Sequence, residues 1–165
     1  MKIQIAALVD DSIVDGPGLR YGVYTQGCPH RCEGCHNPQT HDIHGGTEMD
    51  TEEIWRRMEE NPLLSGVTFS GGDPFWQPLP VAELAKKAHE HGLNVWCYTG
   101  WIFEDLTGKE DPAIVSLLRE TDVLVDGPFL LEQRTLDLPF RGSKNQRLID
   151  VPKSLAAGKT MEILL

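Results

Sequence analysis

The sequence predicts an α/β fold built on a mostly parallel sheet. Segments with the composition of strands alternate with amphipathic helical segments along most of the 165 residues. The predicted strands are apolar throughout, which is typical of a sheet that helices cover. The length suits one domain with a hydrophobic core, and we expect residues 1–165 to form that domain.

Two strands and a long loop are predicted for the amino-terminal part. The apolar run at 3–9 forms the first strand, and the second strand, at 21–26, leads directly into Cys28. Cys, Pro, His, Asn and Gly are frequent from about residue 27 to residue 46, which indicates an irregular loop. An irregular loop of this length is usually functional.

A helix is predicted to begin after Asp50. This aspartate can cap the helix, and Glu53 follows three residues later, as in a capping box. Helical spacing places four residues on the face that would meet the sheet: Thr51, Ile54, Trp55 and Met58. The helix is expected to end near the Asn-Pro pair at 61–62.

Two further strand and helix units follow. A short buried strand is predicted at 66–70, a helix at 80–91 and another strand at 93–98. The Asp-Pro pair at 111–112 has the chemistry of a helix start, and the strand at 123–125 follows that helix.

The pattern is weaker in the last part of the chain. There the sequence predicts strands at 148–151 and 161–165, with a short helix at 152–157 between them.

Four chemically distinctive tracts follow the four best strands. They are the cysteine loop and the tracts at 70–73, 98–100 and 126–127. The carboxyl ends of parallel strands meet at one edge of a sheet, and ligands bind beyond that edge. We therefore expect the four tracts to form one site.

Composition narrows the classes of function. The formal net charge of −10 argues against general binding of nucleic acid, which needs a basic surface. Residues 134–159 nevertheless hold six basic and two acidic residues, and could meet an anionic cofactor or an acidic partner, or form a solvated face. No apolar run is long enough for a membrane helix, and the first ten residues do not resemble a signal peptide, so we expect a cytoplasmic protein.

Three of the four cysteines lie within eight residues. Cys28, Cys32 and Cys35 can hold three irons of a 4Fe-4S cluster and leave the fourth iron open to a substrate. A zinc site completed by His30 or His36 is the alternative, although structural zinc sites usually draw on two separated ligand pairs. Cys97 lies in an apolar run and is interpreted as a buried core thiol.

These tracts resemble a known family. The Cys-x₃-Cys-x₂-Cys spacing after a strand resembles the signature of the radical S-adenosylmethionine enzymes, and Gly71-Gly72-Asp73 resembles their Gly-Gly-Glu/Asp tract. More closely, the chain is similar over nearly its whole length to the activating subunits of anaerobic ribonucleoside-triphosphate reductases. The tracts that carry this likeness are 15–20, 34–37, 68–74, 98–100, 122–129 and 140–147. Gly34 stands where many radical enzymes have an aromatic residue, and these subunits tolerate that glycine.

The resemblance implies both a reaction and a fold. A 4Fe-4S cluster would cleave S-adenosylmethionine reductively, and the 5′-deoxyadenosyl radical would make a glycyl radical on the large subunit of the anaerobic reductase. An electron donor such as flavodoxin would be needed, and a homodimer is compatible with the sequence. Because a full barrel takes roughly 250 residues, a partial, open (β/α) barrel of the radical S-adenosylmethionine type is expected. A radical enzyme acting on a small molecule and a small zinc-binding module remain alternatives.

The resemblance also implies which residues bind the cofactors. Cys28, Cys32 and Cys35 would hold the cluster. The Asp73 carboxylate, with the carbonyl groups of Gly71 and Gly72, would meet the amino group of S-adenosylmethionine. The remaining expected contacts, to the adenine, the ribose and the carboxylate, come from Gly34, His36, Tyr98, Thr99 and Asp126.

Overall fold

The computed structural model describes residues 1–165, and its centre is a sheet of seven strands. In chain order the strands are β1 (Lys2–Ser12), β2 (Arg20–Thr25), β3 (Thr47–Asp50), β4 (Gly66–Gly71), β5 (Asn94–Tyr98), β6 (Val123–Asp126) and β7 (Arg147–Asp150). Their order across the sheet is β3-β1-β2-β4-β5-β6-β7. The two outermost strands, β3 and β7, do not pair with each other, so the sheet is open.

The four central strands, β2, β4, β5 and β6, run parallel to one another. On either side the sheet continues with antiparallel pairs, β2 with β1, β1 with β3, and β6 with β7. The parallel strands are the four whose ends were expected to build a site. The predicted α/β fold, a partial and open barrel, is confirmed.

Five helices are present, and they cover one face of the sheet. They are α1 (Thr51–Glu59), α2 (Pro78–Glu90), α3 (Phe103–Gly108), α4 (Pro112–Arg119) and α5 (Val151–Ala157). The predicted apolar face of α1 is buried in full. The capping box after Asp50 forms only in part, because Asp50 accepts the amide of Glu52 while Glu53 pairs with Arg57. At α4 the predicted cap, Asp111, accepts the amide of Ala113.

The two faces of the parallel strands differ in what they contact. Side chains of one row, Val23, Phe69, Cys97 and Leu124, are aligned across neighbouring strands and pack in the main core beneath the helices. The next row, Tyr24, Ser70 and Tyr98, faces a cavity on the opposite side. We call these the helix-covered face and the cavity face.

One predicted element was wrong, and two elements were not predicted. The strand β3 was not foreseen, since Thr47–Asp50 is a short polar edge strand without alternating apolar residues. Helix α3 was missed because its six residues are too few for a periodic pattern. The segment 161–165 forms only one isolated bridge, between Ile149 and Glu162, rather than a strand. None of the five helices is long and apolar enough to cross a membrane.

Candidate functional site

The ends of the four parallel strands surround one cavity. It has a volume of about 110 Å³, and we call it the cysteine cavity. The residues that line it come from all four predicted tracts and two later loops: Cys28, His30, Cys32, Cys35, His41, Ser70, Gly71, Gly72, Tyr98, Thr99, Gly100, Gly127, Phe129 and Gln146. The expectation that the topology gathers these tracts at one edge is therefore confirmed.

All four cysteines carry free thiols. Burial raises the pKa of Cys28 to about 11 and also raises that of Cys32, so both thiols are neutral near pH 7 in the absence of metal. Iron binds the thiolate, and binding would therefore release protons. No group of three His, Cys, Asp or Glu side chains forms a ready-made site for a single metal ion. The three cysteines of the loop all line the cysteine cavity.

The cysteine loop is tied to the chain that follows it. The amide of Gly27 donates to the carbonyl of Thr40 at 2.7 Å, and the amide of Cys28 donates to that of His41 at 3.4 Å. Between the later cysteines, the amide of Cys35 donates to the carbonyl of Cys32 at 3.2 Å. These bonds fold the two halves of the loop together around the thiols.

Gly71 and Gly72 pack against the strand that leads into this loop. A Cβ on Gly72 would lie 2.3 Å from the carbonyl oxygen of Gly27, and one on Gly71 would lie 2.6 Å from the amide nitrogen of Thr25. Gly71 also has a φ of +93°, which disfavours other residues. The glycines were expected to allow close approach of a ligand. The close approach that the structure shows is to the backbone of residues 25–27.

Asp73 is fully buried, and its carboxylate is surrounded by donors. It accepts the amides of Phe75 and Gly100, each at 3.0 Å, and the hydroxyl of Thr99 at 2.9 Å. The fourth contact is to Nε2 of His30 at 2.6 Å, where the imidazole donates because a carboxylate only accepts. Asp73 thus joins β4, β5 and the cysteine loop. It does not line the cavity, and its predicted contact with a cofactor stays a prediction.

Asp126 is equally buried but has a cation as partner. Its two carboxylate oxygens accept hydrogen bonds from Arg147, at 3.0 and 2.6 Å, and one also accepts the amide of Phe103 at 2.8 Å. Arg147 in turn binds the exposed carboxylate of Glu104, which lowers the pKa of Glu104 to about 2. The contacts of Asp126 are therefore structural, and its predicted contact with S-adenosylmethionine is likewise untested.

Of the other predicted residues, Tyr98, Thr99 and His36 line cavity walls, whereas Gly34 does not. Tyr98 and Thr99 line the cysteine cavity, and burial raises the pKa of the Tyr98 phenol. Gly34 has a φ of +73°, and a Cβ there would lie 2.8 Å from the side chain of Leu131. The ring of His36 lies 5.2 Å from that of Phe129.

A second and larger cavity adjoins the first. Its volume is about 730 Å³, within the range of sites for small organic ligands. The two cavities share Cys35, Ser70, Tyr98, Phe129 and Gln146. His36 lies on the wall of the larger one, and the exposed side chains of Val14 and Leu136 stand at its rim. A ligand in the larger cavity could therefore reach a group that the cysteines hold.

Sequence reasoning missed the contributions of several residues. His41, which no sequence motif singled out, lines the cysteine cavity. Gln146 accepts the amides of Gly142 and Ser143 and donates to the carbonyl of Gly127, which fixes the far wall. Only the tract at 140–147 signalled its importance.

Arg20 is buried among neutral acceptors. It donates to the hydroxyl of Thr68 and to carbonyl oxygens of Pro17, Val67 and Asn94. Burial lowers its pKa to about 10. Asp15 accepts hydrogen bonds from Ser12 and Tyr24.

Comparison with known proteins agrees with this site. The family described as "4Fe-4S single cluster domain" matches residues 14–149. The anaerobic ribonucleoside-triphosphate reductase-activating protein of Vibrio cholerae is 33% identical over 142 residues, covering 81% of this chain and 89% of that protein. The protein of the same name from phage T4 is 34% identical over 143 residues, covering 82% and 86%.

Two more distant similarities were also found. The pyruvate formate-lyase-activating enzyme of Clostridium pasteurianum is 38% identical over 96 residues, which is 55% of this chain and 40% of that enzyme. The crystal structure of QueE from Escherichia coli covers 61% of this chain and 53% of its own, with a TM-score of 0.48 and 16% identity. A structural likeness of that size says nothing about function.

The matches cover most of the chain, including the cysteine loop and the glycine tract. They confirm the predicted class, a radical S-adenosylmethionine enzyme, together with its cofactors, a 4Fe-4S cluster and S-adenosylmethionine. This chain belongs to the family of anaerobic ribonucleoside-triphosphate reductase-activating proteins.

Proposed function

We propose that this protein cleaves S-adenosylmethionine reductively and forms a glycyl radical on an anaerobic ribonucleoside-triphosphate reductase. The observation that carries the proposal is the pair of joined cavities. One is lined by three free thiols from a single loop, and the other is large enough for a small organic ligand.

The residues present fit the cluster that this function needs. Cys28, Cys32 and Cys35 would each hold one iron and leave one iron without a protein ligand. The wall of the cysteine cavity also contains a buried imidazole nitrogen, Nε2 of His41, that has no partner in the protein. Three thiols and an imidazole that line the same cavity suit a charged inorganic cofactor.

When bound, the cluster and S-adenosylmethionine supply the electron transfer and the 5′-deoxyadenosyl radical, and the protein supplies position and exclusion of water. The loop bonds between residues 27–28 and 40–41 fix the thiols. The backbone of Gly71 and Gly72 forms one wall, and the aromatic rings of Tyr98 and Phe129 form the passage between the cavities. These aromatic groups would keep water from a reactive ligand.

We expect a protein substrate to reach the site through the larger cavity. Val14 is 73% exposed and Leu136 is 87% exposed, and both stand at its rim. Apolar side chains exposed at the mouth of a site suit contact with another protein. We therefore place the glycine-bearing segment of the reductase between these two side chains. A flavodoxin-like electron donor, a homodimeric assembly and a cytoplasmic location, which suits four free thiols, are part of the same proposal.

The test is anaerobic reconstitution with iron and sulfide, followed by reduction and addition of S-adenosylmethionine. We expect the wild type to form methionine and 5′-deoxyadenosine in equal amounts. Cys97→Ala should do the same, and Cys32→Ala should form neither product. A loaded and reduced cluster that yields neither product contradicts the proposal.

A second measurement identifies the substrate. With the reductase added, electron paramagnetic resonance should detect a glycyl radical on that protein. Cleavage of S-adenosylmethionine without a glycyl radical on the reductase would favour the alternative, a radical enzyme that acts on a small molecule.

A further inference from the structure

The cysteine cavity contains one polar group that its protein neighbours do not satisfy. Two buried side-chain polar atoms in the structure lack a hydrogen-bond partner, the hydroxyl of Tyr21 and Nε2 of His41. Only His41 lines the cavity that holds the three thiols. Leaving a buried polar atom without a partner is unfavourable, so an unpaired nitrogen on a residue that lines the cavity points to a partner supplied by a group bound there.

The position of His41 is fixed by the backbone. Its amide donates to the carbonyl of Pro38 at 3.2 Å and closes a short 3₁₀ helix at Pro38–Thr40. Its carbonyl accepts the amide of Cys28. Thr40, the preceding residue, is buried and accepts the amide of Gly27 on its carbonyl. The backbone of His41 is therefore held beside the first cysteine.

The other histidine of this cavity shows the contrast. His30 also lines the wall, but its Nε2 is bound to the carboxylate of Asp73 at 2.6 Å. No carboxylate or carbonyl of the protein accepts from Nε2 of His41. The residue with this unsatisfied nitrogen lines the same cavity as the three thiols.

We propose that Nε2–H of His41 donates a hydrogen bond to a sulfur of the 4Fe-4S cluster and raises its reduction potential, an inference that rests on the proposed function. Reduction adds one negative charge to the cluster. A donor dipole directed at the cluster stabilises the reduced form more than the oxidised form, and hydrogen bonds to the sulfurs are among the factors that set cluster potentials. His41 is thus a positioning and tuning residue rather than a ligand.

The first test is a redox titration of the reconstituted protein without S-adenosylmethionine, followed by electron paramagnetic resonance. His41→Phe keeps an aromatic ring and removes the N–H, while His41→Gln keeps a donor. The matched control is His44→Phe, because His44 is an exposed histidine three residues away in the same loop.

We expect equal iron content in all four proteins. At a fixed potential the ratio of reduced to oxidised cluster in His41→Phe should fall about tenfold, which is a shift of about 59 mV for a one-electron couple. His41→Gln should restore at least half of that shift, and His44→Phe should match the wild type. An unchanged potential in iron-loaded His41→Phe overturns the proposal, and so does an equal shift in His41→Phe and His41→Gln.

A second measurement does not depend on whether His41→Phe takes up iron. Histidine labelled with ¹⁵N is incorporated, and the nitrogen coupling of the reduced cluster is measured by pulsed electron paramagnetic resonance. We expect one weak coupling that disappears in His41→Gln. A strong coupling typical of direct iron ligation overturns the proposal, as does the absence of a coupling that depends on His41. A wild type that binds no cluster at all would contradict the proposed function instead.

Discussion

Two neighbouring rows of side chains on the parallel strands have opposite surroundings. The row on the helix-covered face has no exposed surface and consists of Val23, Phe69, Cys97 and Leu124. The row on the cavity face consists of Tyr24, Ser70 and Tyr98. Successive residues of a strand point to opposite sides, so a step of one residue separates the core from the site. The comparison shows that the helix-covered face supplies stability while the cavity face and the strand ends supply chemistry.

The largest expected effect comes from replacing the cysteines of the cysteine cavity. Replacing Cys28, Cys32 or Cys35 by Ala removes one of the three proposed iron ligands from the cysteine cavity. We expect each variant to lose most of its cluster iron after anaerobic reconstitution, measured as iron and sulfide per chain and by visible absorption.

Cys97 is the matched control on the other face. Its thiol is fully buried, lies 3.5 Å from the hydroxyl of Thr121, and has its pKa raised by burial to about 12. Cys97→Ala should keep full iron and cost about 1 kcal/mol in the free energy of unfolding, because it removes one buried atom from a packed core. Iron loss at Cys97 equal to that at Cys32 would break the comparison.

Replacing Asp73 tests how the cysteine loop is joined to the sheet. It accepts hydrogen bonds from His30 in the cysteine loop and from the Phe75 amide at the start of the next helical turn. Asp73→Ala leaves four donors without their acceptor and should lower the free energy of unfolding of the metal-free protein by about 3 kcal/mol. Urea denaturation measures this loss.

The control for Asp73 is an exposed aspartate of the cysteine loop. Asp42→Ala removes one hydrogen bond, to the amide of His44, and should change stability by about 0.5 kcal/mol or less. If the two variants had equal stability, the buried carboxylate would not be what joins the loop to the sheet.

Gly72 tests the contact between the glycine tract and the cysteine loop. A Cβ at this position would overlap the Gly27 carbonyl, so Gly72→Ala must push the two backbones apart at a cost of about 1–3 kcal/mol. Gly108 ends α3 with no atom near its would-be Cβ, and Gly108→Ala should be neutral or slightly stabilising. Circular dichroism during thermal unfolding compares the two, and a Gly72→Ala variant as stable as Gly108→Ala would contradict the packing described.

The parallel strands and the site's location could be predicted because they depend on local patterns. The alternation of apolar strands and amphipathic helices predicted the parallel strands, and parallel strands bring their carboxyl ends together whatever their exact boundaries. Successive residues of a strand point to opposite faces, so the burial of Cys97, one residue before a cavity residue, followed from the same rules. Most of the helix-covered face could thus be predicted from the sequence.

The contacts around the cavity were harder to predict because they join residues far apart in sequence. Asp73 and Asp126 were both expected to meet a ligand, and both are saturated by protein donors from other elements. A short local pattern cannot show that Asp126 binds Arg147, which lies 21 positions further along the chain. The position of His41 at the cysteine cavity could not be predicted for the same reason, since nothing in its neighbouring residues indicates it.

The smallest expected effect concerns a charged cluster between α2 and α4, away from the cavity. The two ring nitrogens of His89 lie 2.9 Å from Glu120 and 2.7 Å from Asp122, which also accepts the amide of Val95. Burial by itself lowers the pKa of His89, but these hydrogen bonds outweigh it and raise the pKa above 6.5. A raised pKa in the folded state stabilises the protein below the unfolded pKa, and that contribution is lost as the pH rises through the folded value.

The metal-free protein should therefore lose stability as the pH rises from about 6 to about 8, and His89→Gln should show a flatter dependence over that range. Urea midpoints across this range measure the effect, with His44→Gln in the exposed cysteine loop as the control. Iron uptake by His89→Gln should equal that of the wild type, because the cluster of charges lies on the helix-covered side. If His89→Gln kept the pH dependence of the wild type, the ion pairs of His89 would not be the cause of that dependence. If His89→Gln failed to take up iron, the two faces would not be independent.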